Sequence, residues 1–282
     1  MTEQSRKWLH LARETSEVYQ KWSETVAITI GGSVAREVAD ISSDVDIFVF
    51  CTTLPTEQQS SEAVHSVHCQ RWKRHNEMYP WGIVRDCFHL DGARIDIGYF
   101  LESTAQNILD DVFIRHDTMP AKQGFLGGLL DAVPLYGHEL IKRWQVQARE
   151  YPEELRRAVV KAHIWMDPLW IPEIYADKRG DFLILHEALA KTAINVLGML
   201  SGLNRIYQTA EWKRIQVLIS KMEYAPINLY DRLADVFQVS NNKRVASLTS
   251  IVEETFSLIE KHMPEIDVRA ARVAFETDTD SN

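Results

Sequence analysis

Residues 26–50 read VAITIGGSVAREVADISSDVDIFVF, and they combine two apolar strands with a glycine-rich turn. The first strand leads into Gly31-Gly32-Ser33, and a helix of about two turns is expected to follow. The second strand opens on Asp44 and Asp46. The stretch therefore predicts a strand, a gap of the size of an anion, and a pair of carboxylates.

The two aspartates are expected to point to the same side of their strand. Side chains alternate along a strand, so Asp44 and Asp46 share one face while Val45, Ile47 and Val49 line the other. Two carboxylates held together repel each other unless a cation lies between them. Carboxylates of this kind suit Mg²⁺, which takes its other ligands from water and from substrate phosphates.

The turn before them has the features of a phosphate site. Gly31 and Gly32 allow a tight reversal and a close approach of the backbone, and Ser33 is predicted to cap a helix that starts near Val34. Free N–H groups at the start of a helix attract an anion. Arg36, predicted in the first turn, favours an anion at the same place.

Together these residues resemble the signature of the DNA polymerase beta-like nucleotidyltransferase superfamily. The shared features are Gly32-Ser33, a helix, and Asp44-Val45-Asp46 at the start of a strand. The resemblance implies Mg²⁺-dependent transfer of a nucleoside monophosphate from a nucleoside triphosphate to an acceptor, with release of pyrophosphate. The superfamily uses a third carboxylate, for which Asp96 is the candidate here. In the plainer alternative, Ser42-Ser43-Asp44 is only a polar turn before a strand.

Asp96 lies in the second half of a predicted hairpin. Residues 83–90 and 93–100 are apolar runs joined by Asp91-Gly92, a strong hairpin signal. An antiparallel neighbour of the Asp44–Asp46 strand is expected to bring the three carboxylates together. Asp86, on the partner strand, is interpreted as a solvated residue.

Composition limits the class of protein. The chain has 282 residues, 45% hydrophobic and 25% charged, as in ordinary globular proteins, and its net charge of −9 makes nucleic acid an unlikely partner. Its three cysteines are too few and too far apart for a zinc site, and their odd number suits a reducing cytoplasm. No leader or membrane-spanning segment is expected, and the oligomeric state stays open.

The expected fold is α+β, with an N-terminal nucleotidyltransferase mixed sheet flanked by helices and a C-terminal all-helical bundle. The predicted domains are residues 1–137, residues 138–275 and a disordered tail at 276–282. Within the first domain, helices are predicted near 5–23, 57–74, 106–113 and 124–131, and an edge strand near 133–137. The helix near 57–74 ends in the basic run Arg71, Lys73, Arg74 and His75, which suits the helix dipole; in the functional alternative this run contacts a triphosphate or an anionic acceptor. In the second, helices are predicted near 138–149, 153–166, 181–202, 209–221, 227–238 and 244–262.

This layout resembles the small-molecule nucleotidyltransferases that adenylylate aminoglycosides and lincosamides. In that group the acceptor binds between the two domains, and a carboxylate from either domain acts as general base. The helix near 181–202 is the expected second wall, with Lys191 reaching the triphosphate and Asp181 or Glu187 facing the acceptor. Asn204 and Tyr207, in the following loop, are further acceptor-side candidates. In the alternative interpretation, Glu187 and Lys191 form only a surface pair.

The expected mechanism is in-line displacement at the α-phosphate of ATP. Two Mg²⁺ ions held by Asp44, Asp46 and Asp96 would neutralise developing charge, with Asp96 nearest the acceptor hydroxyl. Gly32, Ser33 and Arg36 are the expected contacts of the outer phosphates.

The acceptor is expected to be a small hydroxylated molecule, such as an antibiotic or a sugar-like metabolite, and the acidic balance suits a cationic one. The alternatives are a protein acceptor, as in antitoxin-type members of the superfamily, and a non-catalytic nucleotide-binding module.

Overall fold

The fold is described from a computed structural model that covers residues 1–76, 84–209, 212–238 and 243–276. Its sheet has six strands in the order β3-β4-β5-β2-β1-β6. Strands β2 and β5 are parallel, and the other neighbours are antiparallel. The sheet is therefore mixed, and the predicted α+β class is confirmed. The strands are β1 (Thr25–Ile30), β2 (Val45–Cys51), β3 (Gln70–His75), β4 (Val84–Leu90), β5 (Ala93–Leu101) and β6 (Val133–Tyr136).

Helices flank this sheet and make up the C-terminal region. In the first half they are α1 (Glu3–Gln20), α2 (Gly32–Ala35), α3 (Glu57–Ser66), α4 (Glu102–Phe113), α5 (Pro120–Asp131) and α6 (His138–Arg149). In the second half they are α7 (Glu153–His163), α8 (Trp170–Arg179), α9 (Phe182–Leu203), α10 (Ile215–Ser220), α11 (Leu229–Gln238), α12 (Arg244–His262) and α13 (Arg269–Glu276). No strand follows His138 in the residues that the structure covers.

The two faces of the sheet differ in what they carry. Val45, Ile47 and Val49 of β2 are fully buried in one hydrophobic core with the apolar residues of α1, including Trp8 and Tyr19. We call this side the helix-covered face. The alternate residues, Asp46 of β2 and Asp96 of β5 among them, lie on the opposite side, which we call the carboxylate face.

Part of the carboxylate face is closed by aromatic packing. Phe50 of β2 lies 5.2 Å from Trp144 of α6 between ring centroids, and Phe100 of β5 lies 5.5 Å from Phe125 of α5. These contacts cover the carboxyl-terminal ends of β2 and β5. The aspartates lie nearer the amino-terminal ends of these strands, outside the aromatic cluster.

Two predictions about the first half are wrong in detail. The segment 57–74 is not one helix: α3 ends at Ser66, and residues 70–75 form the edge strand β3. His68 and Arg71 have positive φ values of 55° and 57°, which interrupt a helix, and β3 then pairs with β4. The helix after the glycine turn, α2, has four residues and does not reach two turns.

The predicted hairpin is confirmed for the residues that are described. Strands β4 and β5 pair from Leu90↔Ala93 to Val84↔Tyr99, and Asp91 and Gly92 both have positive φ, as a two-residue hairpin turn requires. Ile83, the first residue of the predicted run, lies outside the described residues. The predicted edge strand near 133–137 is β6.

In the second predicted domain, the helices predicted at 138–149 and 244–262 match α6 and α12. Helices α8 and α13 were not predicted. Pro172 lies in the first turn of α8, where proline is tolerated. The predicted helix 209–221 corresponds to the shorter α10; its residues 210 and 211, and the predicted tail at 277–282, lie outside the described residues.

Helix α9 is the core of the second half. It is long and apolar enough to cross a membrane, judged by length and composition alone, and half of its most apolar window is buried inside the protein. Val196, Met199 and Leu200 are fully buried in a cluster with residues of α7, α11 and α12. The buried core helix of a globular protein meets the same criteria of length and composition.

The chain divides into two compact units. The first comprises Met1–Ile114 and Phe125–Glu150, and the second comprises Arg115–Gly124 and Tyr151–Asn282. Helix α6 thus groups with the sheet, whereas the predicted boundary was placed before it, at 137/138. The predicted domain bounds stay a prediction.

Candidate functional site

The glycine turn and the second aspartate are in direct contact. The Gly31 N–H donates a hydrogen bond of 2.9 Å to the Asp46 carbonyl oxygen. Gly32 has φ +61°, and a Cβ atom at this position would overlap Asp46 Oδ2. Glycine is therefore required at position 32 both by backbone conformation and by the closeness of the carboxylate.

Helix α2 begins two residues earlier than predicted. Its first residue is Gly32 and its N-cap is Gly31, which makes no side-chain capping bond. Ser33 is consequently buried inside the helix and does not cap it, contrary to the prediction. Its proposed role toward a phosphate stays a prediction.

Arg36 lies at the other end of α2 from the predicted first turn. It is the C-cap residue, where a cation suits the helix dipole, and its Nη1 lies 3.6 Å from Asp131 Oδ2. Its charge also lowers the pKa of Asp46, which places it near that carboxylate. Arg36 thus adds positive charge next to the aspartates.

Two of the three proposed carboxylates occupy directly paired positions. Asp46 of β2 and Asp96 of β5 are register partners, so their side chains leave the same face of neighbouring strands. Asp44 precedes β2 by one residue and is 40% exposed. The expectation of an antiparallel neighbour is wrong, because β5 runs parallel to β2 and the hairpin partner β4 lies on its far side.

A guanidinium joins the outer carboxylates. Arg94 donates two hydrogen bonds of 3.1 Å to Asp96, from Nε to Oδ1 and from Nη2 to Oδ2. Its Nη1 also lies 3.9 Å from Asp44 Oδ2. Asp96 raises the pKa of Arg94 further, so this cation stays charged. A positive group thus already lies between Asp44 and Asp96.

Asp46 is left with the least compensation. Burial raises the pKa of Asp46, and the like charges of Asp96 and Asp44 raise it further, while Arg36 and Arg94 oppose the shift. Nearby negative charge disfavours the ionised form of a carboxylate, and a bound cation reverses that preference. Oxygen ligands from aspartates suit Mg²⁺, so the donor set fits this ion chemically.

The arrangement does not by itself form a finished metal cage. Among the residues that the structure describes, no three acidic, histidine or cysteine side chains are grouped closely enough to hold one ion. The Asp44 and Asp96 oxygens that would bind a metal are the ones that Arg94 now engages.

Asp86 is not the solvated residue expected from the sequence. It is fully buried on the helix-covered face, where it accepts hydrogen bonds from Tyr99 Oη at 2.8 Å and Trp72 Nε1 at 3.1 Å. Arg74 Nη1 lies 3.7 Å from its Oδ2. These donors come from β5 and β3, the strands on either side of β4, so Asp86 has a structural role.

The candidates in the second half have local partners. Lys191 Nζ lies 2.6 Å from Glu187 Oε1 and both side chains are exposed, which matches the surface-pair interpretation. Asp181 precedes α9 without a side-chain capping bond. The proposed contacts of Lys191, Glu187 and Asp181 with substrates stay predictions.

The loop candidates also pack within the second unit. Asn204 donates to the carbonyls of Leu200 and Tyr224 and accepts from the Tyr224 N–H, each at 2.8 Å. Tyr207 is buried, with its ring centroid 4.9 Å from that of Tyr151. Both side chains thus hold the loop in place, and their roles toward an acceptor stay predictions.

Sequence reasoning assigned no role to Arg94, although it lies two residues before Asp96. The signal was available, because residues i and i+2 of a strand share a face. It also assigned no common face to the cationic residues of β3 and β4, since β3 was predicted as helix.

Comparison with known proteins agrees with the fold. Residues 14–79 match the family model described as "Nucleotidyltransferase domain", a range that holds the glycine turn, Asp44 and Asp46. The mixed six-stranded sheet with flanking helices and a helical C-terminal region is consistent with the nucleotidyltransferase α+β fold. The match supports nucleotidyl transfer as the general activity. A search of curated protein sequences finds no significant match.

Solved structures with similar arrangements include three of relevance. A nucleotidyltransferase-like protein from Exiguobacterium sibiricum aligns over 92% of this chain and 81% of its own, at 11% identity and a TM-score of 0.37. The Thermotoga maritima CCA-adding enzyme, complexed with tRNA, aligns over 96% and 79%, at 12% identity and a TM-score of 0.30. A CCA-adding enzyme complexed with CTP aligns over 97% and 80%, at 12% identity and 0.27.

Proposed function

We propose that this protein is a Mg²⁺-dependent nucleotidyltransferase that moves a nucleoside monophosphate, AMP from ATP, to a hydroxyl group of a small molecule. The observation that supports the proposal most is the pairing of Asp46 with Asp96 beside the glycine turn. Paired carboxylates next to a turn with close backbone approach suit a metal-bound triphosphate. The family-model match over residues 14–79 points to the same chemistry.

The metal-holding residues in this proposal are Asp44, Asp46 and Asp96. When bound, Mg²⁺ neutralises charge on the phosphates and lowers the pKa of the acceptor hydroxyl. Arg94 shares Asp44 and Asp96 in the structure, so its guanidinium competes with the metal for these oxygens. Among the residues that the structure describes, Asp46 has no such partner, and it is the carboxylate that gains most from a cation.

The reaction forms one bond and breaks one bond at the α-phosphorus. The acceptor oxygen attacks the phosphorus, the bond to the bridging oxygen of the β-phosphate breaks, and pyrophosphate leaves with its electron pair. Asp96 accepts the hydroxyl proton. Positioning and electrostatic stabilisation supply most of the rate enhancement in such transfers.

The protein holds the outer phosphates with the glycine turn and with Arg36. In this proposal the backbone N–H groups at Gly32 and Ser33 bind phosphate oxygens, and Arg36 supplies a positive charge on the same side of Asp46. A small acceptor is favoured over a protein one because the chain carries a large helical second unit. We place the reaction in the cytoplasm, in keeping with three free cysteines.

Pyrophosphate release tests the proposal. The purified chain is incubated with ATP, Mg²⁺ and a panel of hydroxylated small molecules, and pyrophosphate is measured for the native protein and for Asp46→Asn and Asp96→Asn. We expect each variant to lose about 10³-fold or more in rate, since each loses charge that stabilises the transition state, a loss of about 4 kcal/mol.

Asp91→Asn is the matched control. Asp91 is exposed in the hairpin turn, at φ +49°, a conformation that asparagine adopts readily, and it lies outside the carboxylate pair. The control should keep full activity. Turnover that survives in Asp46→Asn contradicts the metal assignment, and transfer to lysate proteins but to no small molecule favours the protein-acceptor alternative.

A further inference from the structure

The carboxylate face continues beyond Asp96 toward the edge of the sheet. Lys73 of β3 pairs with Cys87 of β4, Cys87 pairs with Asp96 of β5, and Asp96 pairs with Asp46 of β2. Directly paired residues project from the same face of a sheet. Lys73 therefore lies on the face that carries the proposed catalytic aspartates, in a row that crosses four strands.

The neighbouring rows add further basic residues to this face. His75 pairs with Arg85, and Arg85 pairs with Gly98, two residues after Asp96. On the other side of the central row, His89 pairs with Arg94. We call Lys73, His75, Arg85 and His89 the basic strip. Among the described residues of β3, β4 and β5, Asp96 is the single acid on this face.

The positive charge of the strip is not neutralised within the described part of the chain. Lys73 is exposed and Arg85 is half-buried, and neither forms an ion pair with a described acidic residue. Arg74, by contrast, points to the helix-covered face and lies next to Asp86. A half-buried arginine without an acidic partner gains from a bound anion.

The position of the strip separates it from the proposed triphosphate site. The strand order is β3-β4-β5-β2-β1, and the glycine turn follows β1. Starting from Asp96, the turn lies on the β2 and β1 side and the strip lies on the β4 and β3 side. An anion on the strip is therefore on the side from which an acceptor, rather than the leaving pyrophosphate, approaches Asp96.

The spacing suits a small molecule. Neighbouring strands lie about 4.8 Å apart and residues rise about 3.3 Å along a strand, so Lys73, two strands away, is about 10 Å from Asp96, and Arg85, one strand and two residues away, is about 8 Å from it. This is the separation between a hydroxyl and a charged group within one phosphorylated sugar. The strip has two permanent cations, and the chain has a net charge of −9. A nucleic-acid site needs a more extended positive surface than this.

We infer that the acceptor is a hydroxylated small molecule that carries an anionic group of the phosphate-monoester type, held by Lys73 and Arg85. The inference rests on the proposed function, because it takes Asp96 as the carboxylate nearest the reacting hydroxyl. It replaces the cationic acceptor that the acidic composition suggests, since the local charge beside Asp96 has the opposite sign to the net charge.

Binding measured by calorimetry tests the acceptor class. The protein is first saturated with Mg²⁺ and the non-reactive α,β-methylene analogue of ATP, and it is then titrated with glucose 6-phosphate, gluconate, glucose, glucosamine and a short RNA. We expect glucose 6-phosphate to bind at least tenfold more tightly than glucose or glucosamine. The double variant Lys73→Gln with Arg85→Gln should reduce this affinity at least tenfold.

Lys21→Gln is the matched control. Lys21 is an exposed cation that follows α1, on the helix-covered side of the sheet, and its loss should leave all affinities unchanged. Circular dichroism and thermal unfolding establish that the double variant folds. Affinity for the ATP analogue, measured first in every protein, should be the same in the native chain and the variants.

The outcomes separate the two proposals. If the analogue fails to bind the native protein, the proposed function is overturned together with this inference. If the analogue binds but glucose, glucosamine or RNA binds as tightly as glucose 6-phosphate, only the acceptor class is overturned. If gluconate binds more tightly than glucose 6-phosphate, the site prefers a carboxylate to a phosphate, and the inference as stated is overturned. A double variant that weakens only the analogue assigns the strip to the triphosphate and overturns it too.

Discussion

Asp86 and Asp96 lie on adjacent strands of one sheet, and their surroundings differ in almost every respect. Asp86 is fully buried on the helix-covered face, where a tyrosine hydroxyl, an indole N–H and a guanidinium surround its carboxylate. Asp96 lies on the carboxylate face, next to the like charge of Asp46, and it pairs with Arg94, whose side chain is 45% exposed. The donors around Asp86 satisfy its charge inside the protein, whereas Arg94 pairs with Asp96 and leaves the charge of Asp46 to be balanced by a ligand.

The difference shows what distinguishes a structural acid from a candidate catalytic acid. Burial alone does not distinguish the two, because both faces hold buried or half-buried carboxylates. The two kinds of acid differ in the groups nearest to them. Asp86 has hydrogen-bond donors and the cation of Arg74 beside it, whereas Asp46 has another carboxylate beside it. Like-charge pairs on a sheet are costly, so their presence points to a cation supplied from outside.

The largest effect is expected from Asp86→Ala, which should lower the free energy of unfolding. Removing this carboxylate leaves the guanidinium of Arg74, 8% exposed, without its charged partner, and leaves the Tyr99 hydroxyl without an acceptor. Losing one member of a buried ion pair costs about 3–5 kcal/mol. Urea unfolding should show this loss.

Pairing the change with Arg74→Met provides the control for that experiment. With both charges removed, no buried ion is left unpaired, so the double variant should recover a large part of the lost stability. Activity per folded molecule should stay at the native level in both variants, because Asp86 and Arg74 face away from the carboxylate face. A single variant as stable as the native chain would show that Asp86 is not held as described.

A smaller effect is expected from Gly32→Ala, which tests the contact between the turn and Asp46. The substitution places a Cβ against Asp46 Oδ2 and forces an alanine to φ +61°. The backbone conformation alone costs about 1–2 kcal/mol, and the displaced carboxylate should lower the rate of pyrophosphate release as well. Thermal unfolding and initial rates measure the two losses separately.

Gly92→Ala separates backbone strain from that contact. Gly92 also has a positive φ, of +83°, but a Cβ atom there meets no atom within 4 Å. It should lose a similar amount of stability and keep its activity. If both variants lose activity equally, the contact between Gly32 and Asp46 has no catalytic consequence.

The outline of this site was readable from the sequence because it rests on local rules. The alternation of Asp44, Val45 and Asp46 fixes the face of each side chain, and the Asp91-Gly92 turn fixes the register that carries Asp96. Both features involve residues close together in the chain, so pattern and propensity are sufficient for them.

The features that the sequence did not reveal depend on pairing between distant segments. That β5 joins β2 in parallel, and that β3 is a strand at all, follows from which strands become neighbours. The partners of Asp86 lie on β3 and β5, and Asp44, one partner of Arg94, lies in the segment before β2. These contacts therefore depend on which strands become neighbours. Polar residues such as those of β3 lack the apolar alternation that marks a strand, and pairing with β4 decides their conformation.

The smallest expected effect concerns the pH dependence of stability, and it tests whether Asp46 lacks compensation. Burial, Asp96 and Asp44 raise the pKa of Asp46 above its ordinary value of 3.8 in the folded protein. Between the unfolded and folded pKa values the folded state binds more protons, so the contribution of Asp46 is fully present below pH 3.8 and is lost as pH rises through the folded value. At neutral pH and without metal, the ionised Asp46 therefore lowers stability.

Asp46→Asn removes that cost, and its advantage over the native protein should appear only as pH rises. In EDTA, thermal unfolding from pH 4 to pH 8 should show the variant gaining a few degrees, on the order of 1 kcal/mol, relative to the native chain. Asp91→Asn, which removes an exposed carboxylate of the hairpin turn, is measured in the same buffers as the control. A constant difference between Asp46→Asn and the native protein across this range contradicts the assigned environment. Added Mg²⁺ should reverse the order, because a cation that binds the ionised carboxylate stabilises the native chain and has less to bind in the variant.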